Sequence, residues 1–333
     1  MRQGCQSWVF SSQPVIVSTG TVGGPFEARG ALAKDFDLLH EDLWLGQESY
    51  EKAEKKMLEQ ACELALGKAG MKKEELHFFI SGDLQNQIIV SGFTARTLAV
   101  PYLGLFAACS TSMEGLSLGA LLLESKAAEN VLVGTSSHNA VLEKQFRYPT
   151  EYGAQKPSTA QWTVTGAGAA LLKPEGNGPK VTAATIGRVV DMGLSDPFNL
   201  GGAMAAAAVD TIEAHFRDFA IDHSAYDLIV TGDLAKVGHE IAADLLVKHG
   251  LQIPEEKFKD CGLLIYKEEQ PVHAGGSGCG CSAVVTFGHL LNRMRKGELH
   301  KILVVATGAL FSPLSYQQKE SIPCIAHAVV MEM

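Results

Sequence analysis

Leu105-Phe106-Ala107-Ala108-Cys109-Ser110-Thr111-Ser112-Met113-Glu114-Gly115 is an apolar, strand-like run that breaks into serine and threonine and then into a helical stretch rich in Ala and Leu. The break places the thiol of Cys109 at a helix N-terminus. Unpaired backbone N–H groups and the positive end of the helix dipole would favour a thiolate there, and would equally well hold a carboxylate or another anion. The same turn therefore suits a nucleophile or a receptor.

Further along the chain the same phrase returns. Cys109-Ser110 recurs as Cys281-Ser282, and Val131-Leu132-Val133-Gly134-Thr135 recurs as Leu303-Val304-Val305-Ala306-Thr307, both at an offset of 172 residues. His77-Phe78-Phe79-Ile80 runs into Ser81-Gly82-Asp83-Leu84, and Asp227-Leu228-Ile229-Val230 runs into Thr231-Gly232-Asp233-Leu234, with the two aspartates 150 positions apart. Gly168-Ala169-Ala170-Leu171-Leu172 and Ala328-Val329-Val330-Met331 give each part a final strand. The chain is thus a duplication, with halves at 1–175 and 179–333 and a turn-rich seam at Pro174-Glu175-Gly176-Asn177-Gly178-Pro179.

Strands such as 302–305 are apolar on both faces and alternate with helices, for example over 49–70, so each half reads as a mixed or mostly parallel sheet covered by helices. Two such halves predict a five-layered α/β/α/β/α sandwich. The halves differ in length because residues 136–162 form a polar, aromatic insertion, far longer than an ordinary connection of about 4–6 residues. Its expected place is an interface or a pocket wall.

The 333 residues are 46% hydrophobic and 20% charged, ample for a large core. A net charge of -9 with no basic stripe argues against nucleic acid as a partner, since neutralising phosphates needs clustered Lys and Arg. No apolar leader precedes Cys5, and apolar runs such as 203–209 fall short of the roughly 20 residues that span a bilayer. An intracellular protein that reaches a membrane only through partners is the expectation. The seven cysteines are then reduced thiols, and Cys279-Gly280-Cys281 lacks the ligand spacing of a zinc site, so no metal centre is expected.

A duplicated α/β chain with a cysteine at this turn resembles the thiolase superfamily. A narrower resemblance, to the stage V sporulation protein AD family, rests on Ala108-Cys109-Ser110-Thr111-Ser112-Met113-Glu114, Thr135-Ser136-Ser137-His138-Asn139-Ala140, Gln145-Phe146-Arg147-Tyr148-Pro149-Thr150-Glu151-Tyr152-Gly153, Ala274-Gly275-Gly276-Ser277-Gly278-Cys279 and the 318–327 stretch. The resemblance implies a thiolase-like protein of the spore and forespore that binds dipicolinic acid (pyridine-2,6-dicarboxylate), with or without calcium. It also implies a role in dipicolinate uptake into the developing spore beside other stage V sporulation membrane proteins. Such a protein would lie peripheral to the inner membrane through those partners, and the usual two-fold packing of the fold implies a homodimer.

Thiolase chemistry needs an imidazole and a further acid–base group opposite the thiol. Where thiolases carry a Gly-His-Pro phrase and a late cysteine followed by glycines, this chain has His273-Ala274-Gly275-Gly276-Ser277-Gly278 and Cys324-Ile325-Ala326-His327. No catalytic set is expected, whereas the anion seat would survive without one. The alternative is an active acyl-CoA thiolase or condensing enzyme with Cys109 as nucleophile.

A dicarboxylate needs hydrogen-bond donors at both ends and an apolar slot between. The candidate ligand-binding residues are Cys109, Ser110, Thr111, Ser136, Ser137, His138, Arg147 and Asp83. Asp83 would face a dianion only with a cation or a proton between them, or it caps its own turn, with Asp233 the structural counterpart. His138 either meets a carboxylate or holds its loop. Arg147 either pairs with a carboxylate or anchors Glu143 or Glu151.

Overall fold

Strand order repeats in the two parts of the chain. The computed structural model describes residues 1–146 and 156–333. In the first part Val15–Gly23 (β1), Phe78–Asp83 (β2), Tyr102–Gly104 (β3), Val131–Ser137 (β4) and Gly166–Lys173 (β5) lie in the order β3-β2-β4-β5-β1. In the second, Lys180–Ile186 (β6), Leu228–Thr231 (β7), Phe258–Asp260 (β8), Lys301–Ala309 (β9) and Cys324–Glu332 (β10) lie in the order β8-β7-β9-β10-β6. Each sheet has the same three neighbouring parallel strands and two antiparallel additions. The two sheets touch edge to edge through one pairing, Val15 with Lys180.

Six helices fill the layers: Tyr50–Lys68 (α1), Ile89–Leu98 (α2), Thr111–Glu124 (α3), Leu200–Phe219 (α4), Ala235–Lys248 (α5) and Cys279–Val284 (α6). The period of two along the strands sorts them. In the first sheet Phe79, Leu132 and Leu171 point outward onto Met57, Leu58 and Ala61 of α1, while Ile80, Val133 and Leu172 point inward onto Met113, Leu116 and Ala120 of α3. In the second sheet Ile229, Leu303 and Val305 pack outward on Val209 and Ile212 of α4, and Val230, Val304 and Met331 pack inward on the same central cluster as α3 and α6. The five layers are outer helices, sheet, central helices, sheet, outer helices.

Local signals agree with this arrangement. Ser49 caps α1 by accepting the backbone N–H of Lys52 at 3.2 Å, and the helix runs out just before Ala69-Gly70, as its sequence predicts. In the 136–162 insertion, the helix Asn139–Phe146 follows β4 directly, and Trp162–Thr163 pairs in parallel with Gly276–Ser277 of the second half. Trp162 also stacks on Phe26 of its own half at 4.6 Å, so this stretch is held from both sides of the seam.

Candidate functional site

A cavity of about 670 Å³ opens where the C-terminal ends of β2 and β7 face one another across the seam. Its volume lies in the range of about 300–1,000 Å³ that is usual for small-molecule sites. The first half contributes Asp83 and the 84–88 turn, Cys109 and the insertion helix with Gln145 and Phe146. The second half contributes Asp233, Gly278 and the 309–314 segment with Phe311. Among the described lining residues there is no lysine, arginine or histidine; the polar ones are amides, hydroxyls, two carboxylates and the thiol.

Cys109 sits in a single 3-10 turn, Ala108–Ser110, immediately before α3. The turn is strained and pinned: Ala108 has φ +49°, and a Cβ at Gly308 would lie 2.3 Å from the Ala107 carbonyl oxygen, so only glycine lets β9 approach this closely. Cys279 at the start of α6 donates its thiol to the Ala108 carbonyl at 3.0 Å. The second half therefore supplies a thiol and a carboxylate to Cys109, and no described imidazole.

These neighbours settle the state of the thiol. The adjacent Cys279, burial and the Asp233 carboxylate, in that order, push the Cys109 thiol well above its ordinary range. The carboxylate and the thiol act on one another, Asp233 raising the thiol and Cys109 lowering the carboxyl. These neighbours oppose the thiolate expected from the helix N-terminus, because a carboxylate and a second sulfur stand beside the thiol where the dipole of the turn would favour negative charge.

The two repeat-related aspartates behave differently. Asp83, at the end of β2, accepts the backbone N–H of Gln85 at 2.9 Å and both the N–H and the hydroxyl of Ser91 at 2.8 and 2.7 Å. It lines the cavity while capping its own turn. Behind it, Glu54 of α1 accepts Gln85 Nε2 at 2.7 Å and the Ser136 hydroxyl at 3.1 Å. Burial raises both carboxyls, and the Asp83 charge raises Glu54 further.

Asp233 points away from the turn that carries it. It accepts Gly278 N–H at 3.0 Å and the Thr307 hydroxyl at 2.6 Å, and burial pushes it up to about 6. Gly278 can present that N–H because it adopts φ +100°, where a side chain would meet Ser137 Oγ. The turn below Asp233 is capped instead by Asp260 of β8, which accepts the N–H groups of Leu234 and Ala235, each at 2.9 Å, and the Thr231 hydroxyl at 2.7 Å. Burial and the Asp233 charge push Asp260 up to about 7.

The other expected donors do not converge on the cavity. Ser110 and Thr111 hydrogen-bond back to the carbonyls of Ala107 and Ala108, both at 2.7 Å. Ser136 is committed to Glu54, and Ser137 donates to the Val164 carbonyl at 2.7 Å while accepting Gly280 N–H. His138 donates Nε2–H to the Leu43 carbonyl at 3.0 Å, packs on Tyr50, and is held neutral by burial, which is its loop-holding reading. These side chains form the wall behind the cavity rather than its lining: Ser110 and Thr111 find backbone acceptors within their own turn, and Ser136 and Ser137 are taken by Glu54 and Val164 behind the strand end. Arg147 lies outside the described residues.

The imidazoles weighed for catalysis are elsewhere. His273 is exposed in its turn, and His327 is buried in β10, where it accepts Gly187 N–H at 3.3 Å and burial pushes it down to about 4. Sequence reasoning missed Asp233 and Cys279 as neighbours of Cys109. It also missed Glu54 and the amides of Gln85, Gln145 and Gln161. One signal was available: Ser91 stands eight residues beyond Asp83, whereas Ile241 stands eight beyond Asp233, so only the first half has a hydroxyl to draw its carboxylate back.

Comparison with known proteins places this geometry. The family model described as stage V sporulation protein AD matches residues 4–332. The chain is 48% identical over 329 residues to stage V sporulation protein AD of Bacillus subtilis (strain 168), covering 99% of this chain and 97% of the relative. Among solved structures, 3-oxoacyl-[acyl-carrier-protein] synthase III from Aquifex aeolicus VF5 superposes with a TM-score of 0.59 at 17% identity, over 96% of this chain and 100% of that one. A single-site variant of OleA from Xanthomonas campestris does so with a TM-score of 0.65 at 14% identity, over 97% of each chain. The fold is thiolase-like, as the duplicated sequence and its Cys109 turn imply.

Proposed function

Because this chain belongs to the stage V sporulation protein AD family, we propose that it serves sporulation as a dipicolinate-binding protein on a catalytically lapsed thiolase fold. It would capture dipicolinic acid for uptake into the developing spore and pass it to membrane-embedded stage V partners. The observation that carries this reading is the surroundings of Cys109: a thiol held protonated by Asp233 and Cys279, in a small-molecule cavity whose described lining has no imidazole. Acyl transfer needs a thiolate and a base to return its proton, and Asp233 here stabilises the thiol instead.

The cavity suits a planar, polar ligand. Phe106, Phe146 and Phe311 provide flat apolar surface, and Gln85, Gln145 and Gln161 bring amides to its walls. Two carboxylates and no described cation in the lining disfavour a bare dianion, so the preferred form is the calcium chelate, in which the metal offsets the ligand's charge. Among the described residues no group of three or more His, Cys, Asp and Glu could hold a metal, so calcium would arrive with the ligand.

Calorimetric titration of dipicolinate with and without calcium tests the reading. Saturable binding that is stronger with calcium, and weakened at least tenfold by Phe311→Asp in a folded variant, is expected. Its absence in both conditions overturns it. Intact-mass analysis after incubation with acyl-CoA tests the enzyme alternative, and an acyl adduct on Cys109 with thioester turnover would replace the binding reading.

Two further parts of the reading concern assembly. β3 is the open edge of the first sheet and carries the exposed Leu103, which supports a homodimer formed across this edge. Light scattering should give twice the 35.6 kDa chain mass, and Leu103→Lys should halve it. No helix among the described residues is long and apolar enough to cross a membrane, and contact with the spore's inner membrane is assigned to the partners.

A further inference from the structure

Behind the cavity wall lies a carboxyl that the binding reading leaves unused. Glu54 projects from α1 and is fully buried, yet it is separated from the ligand space by one residue only: Gln85 donates its backbone N–H to Asp83 and its side-chain amide to Glu54. Asp83 collects three donors, two of them fixed backbone N–H groups, against none from the backbone for Glu54, so it is the better stabilised anion of the two, and its Oδ1 keeps a lone pair free. Glu54 has one amide donor and one hydroxyl, that of Ser136. A hydroxyl can reverse and accept, so Glu54 can carry a proton without losing a hydrogen bond.

Among the described residues no fixed cation stands against Glu54 to ionise it. On its own helix Glu51 faces it as a further negative charge, and that residue is itself paired with Lys144 at 2.7 Å. His138, beside Glu51, is kept neutral by burial. Tyr102 of β3, near Asp83, is a phenol that burial and Asp83 push up to about 12 and that stays protonated. Across the cavity stand Asp233 and the Cys109 thiol, neither of them positive.

We propose that Glu54 is the proton store of this cavity: it carries a proton when no ligand is bound and releases it to solvent when a chelate of a divalent cation settles against Asp83, so that capture is proton-linked. The inference rests on the binding reading above. The physical step is electrostatic. A cation beside Asp83 cancels the negative charge that opposes ionisation of Glu54, and the buried pair then tolerates two carboxylates where it previously tolerated one. Both the burial of Glu54 and the Asp83 charge act to keep the proton on it until then. The sign follows: a proton lost on binding makes affinity rise with pH, by at most about tenfold per pH unit, until Glu54 ionises unaided. Such a site captures its cargo on the more alkaline side of a membrane and yields it on the more acidic side.

The test is calorimetry of calcium dipicolinate against the full chain, at pH values from 6 to 8, in buffers of different ionisation enthalpy. Glu54→Gln is the informative variant, because its amide can accept from Gln85 and donate to Ser136, and Asp83 stays in place; thermal melting checks that it folds. The wild type should show a buffer-dependent enthalpy equivalent to proton release and an affinity that rises with pH. Glu54→Gln should bind with the buffer dependence reduced and with a flatter pH profile. Binding by the wild type with no buffer dependence, proton uptake in place of release, or a variant that releases as many protons as the wild type would each overturn the inference and leave the binding reading standing. No binding in any buffer would overturn both.

Discussion

The two aspartates of the repeated Gly-Asp-Leu turn start from the same strand end and finish in opposite roles. Asp83 folds back on Gln85 and Ser91 of its own turn, whereas Asp233 reaches away from its turn to Gly278 and Thr307 of its half and faces the thiol of Cys109 across the seam. The second turn can spare its aspartate because Asp260 takes over the cap. One backbone arrangement thus yields a brace of its own turn in one half and an acceptor for distant segments in the other. The lesson is that duplication conserves where a side chain starts, while its neighbours decide where it ends.

If that contrast is right, removing each aspartate should cost different things. Asp233→Ala leaves the Gly278 N–H and the Thr307 hydroxyl buried without an acceptor, and urea unfolding should show a loss of about 2–4 kcal/mol. Asp83→Ala also strands three donors, but it stands at the cavity wall where water can replace it and it relieves the repulsion on Glu54, so about 1–2 kcal/mol is expected. Equal losses would break the comparison. Reactivity sharpens it further: Asp233→Asn removes a charge that raises the Cys109 thiol, so the pH profile of Cys109 alkylation should move to lower pH, about tenfold more thiolate for each unit. Asp83→Asn should leave that profile where it is.

Stability against pH gives a smaller effect with a definite sign. Asp233 is raised from 3.8 to about 6 and Asp260 from 3.8 to about 7. A carboxyl whose folded value is raised favours the folded state fully below its unfolded value, and that advantage is lost as the pH climbs through the folded one. Unfolding free energy should therefore fall between about pH 4 and pH 7 from these two groups. Asp233→Asn, measured by urea titration across that span, should show a shallower decline than the wild type.

The fold was legible because its signals are redundant. Apolar strands, helices capped by residues such as Ser49, and phrases repeated at fixed offsets all point to one layered duplication, and each constrains the others. The site was legible only at Cys109 and Asp83. Ser110, Thr111, Ser136 and Ser137 are donors by composition, but the first two bond back to carbonyls of their own turn and the last two to Glu54 and Val164, partners distant in sequence that local pattern does not reveal. His138 was legible as a polar residue at the right strand end, yet its ring turns behind the sheet to Leu43 and Tyr50. Asp233 and Cys279 reach Cys109 only because the two halves close on one another, and contacts across 124 and 170 residues leave no trace in local pattern.

The two cysteines of the repeated Cys-Ser phrase carry the smallest and cleanest version of the comparison. Cys281 is fully buried in α6 among Val284, Phe287 and the central cluster, and its neighbours are packed side chains of both sheets. Cys109 faces the cavity, with one side of its sulfur open to it. Trimming Cys281 to alanine therefore leaves a void that the two sheets cannot close, at about 1–2 kcal/mol, whereas Cys109→Ala enlarges a cavity that already exists and should cost under about 1 kcal/mol. The binding measurements should show the reverse ranking, since only Cys109 borders the ligand. If Cys109→Ala proves the more destabilising of the two, its sulfur is a packing element like its repeat partner, and the division of labour between the halves does not extend to the thiols.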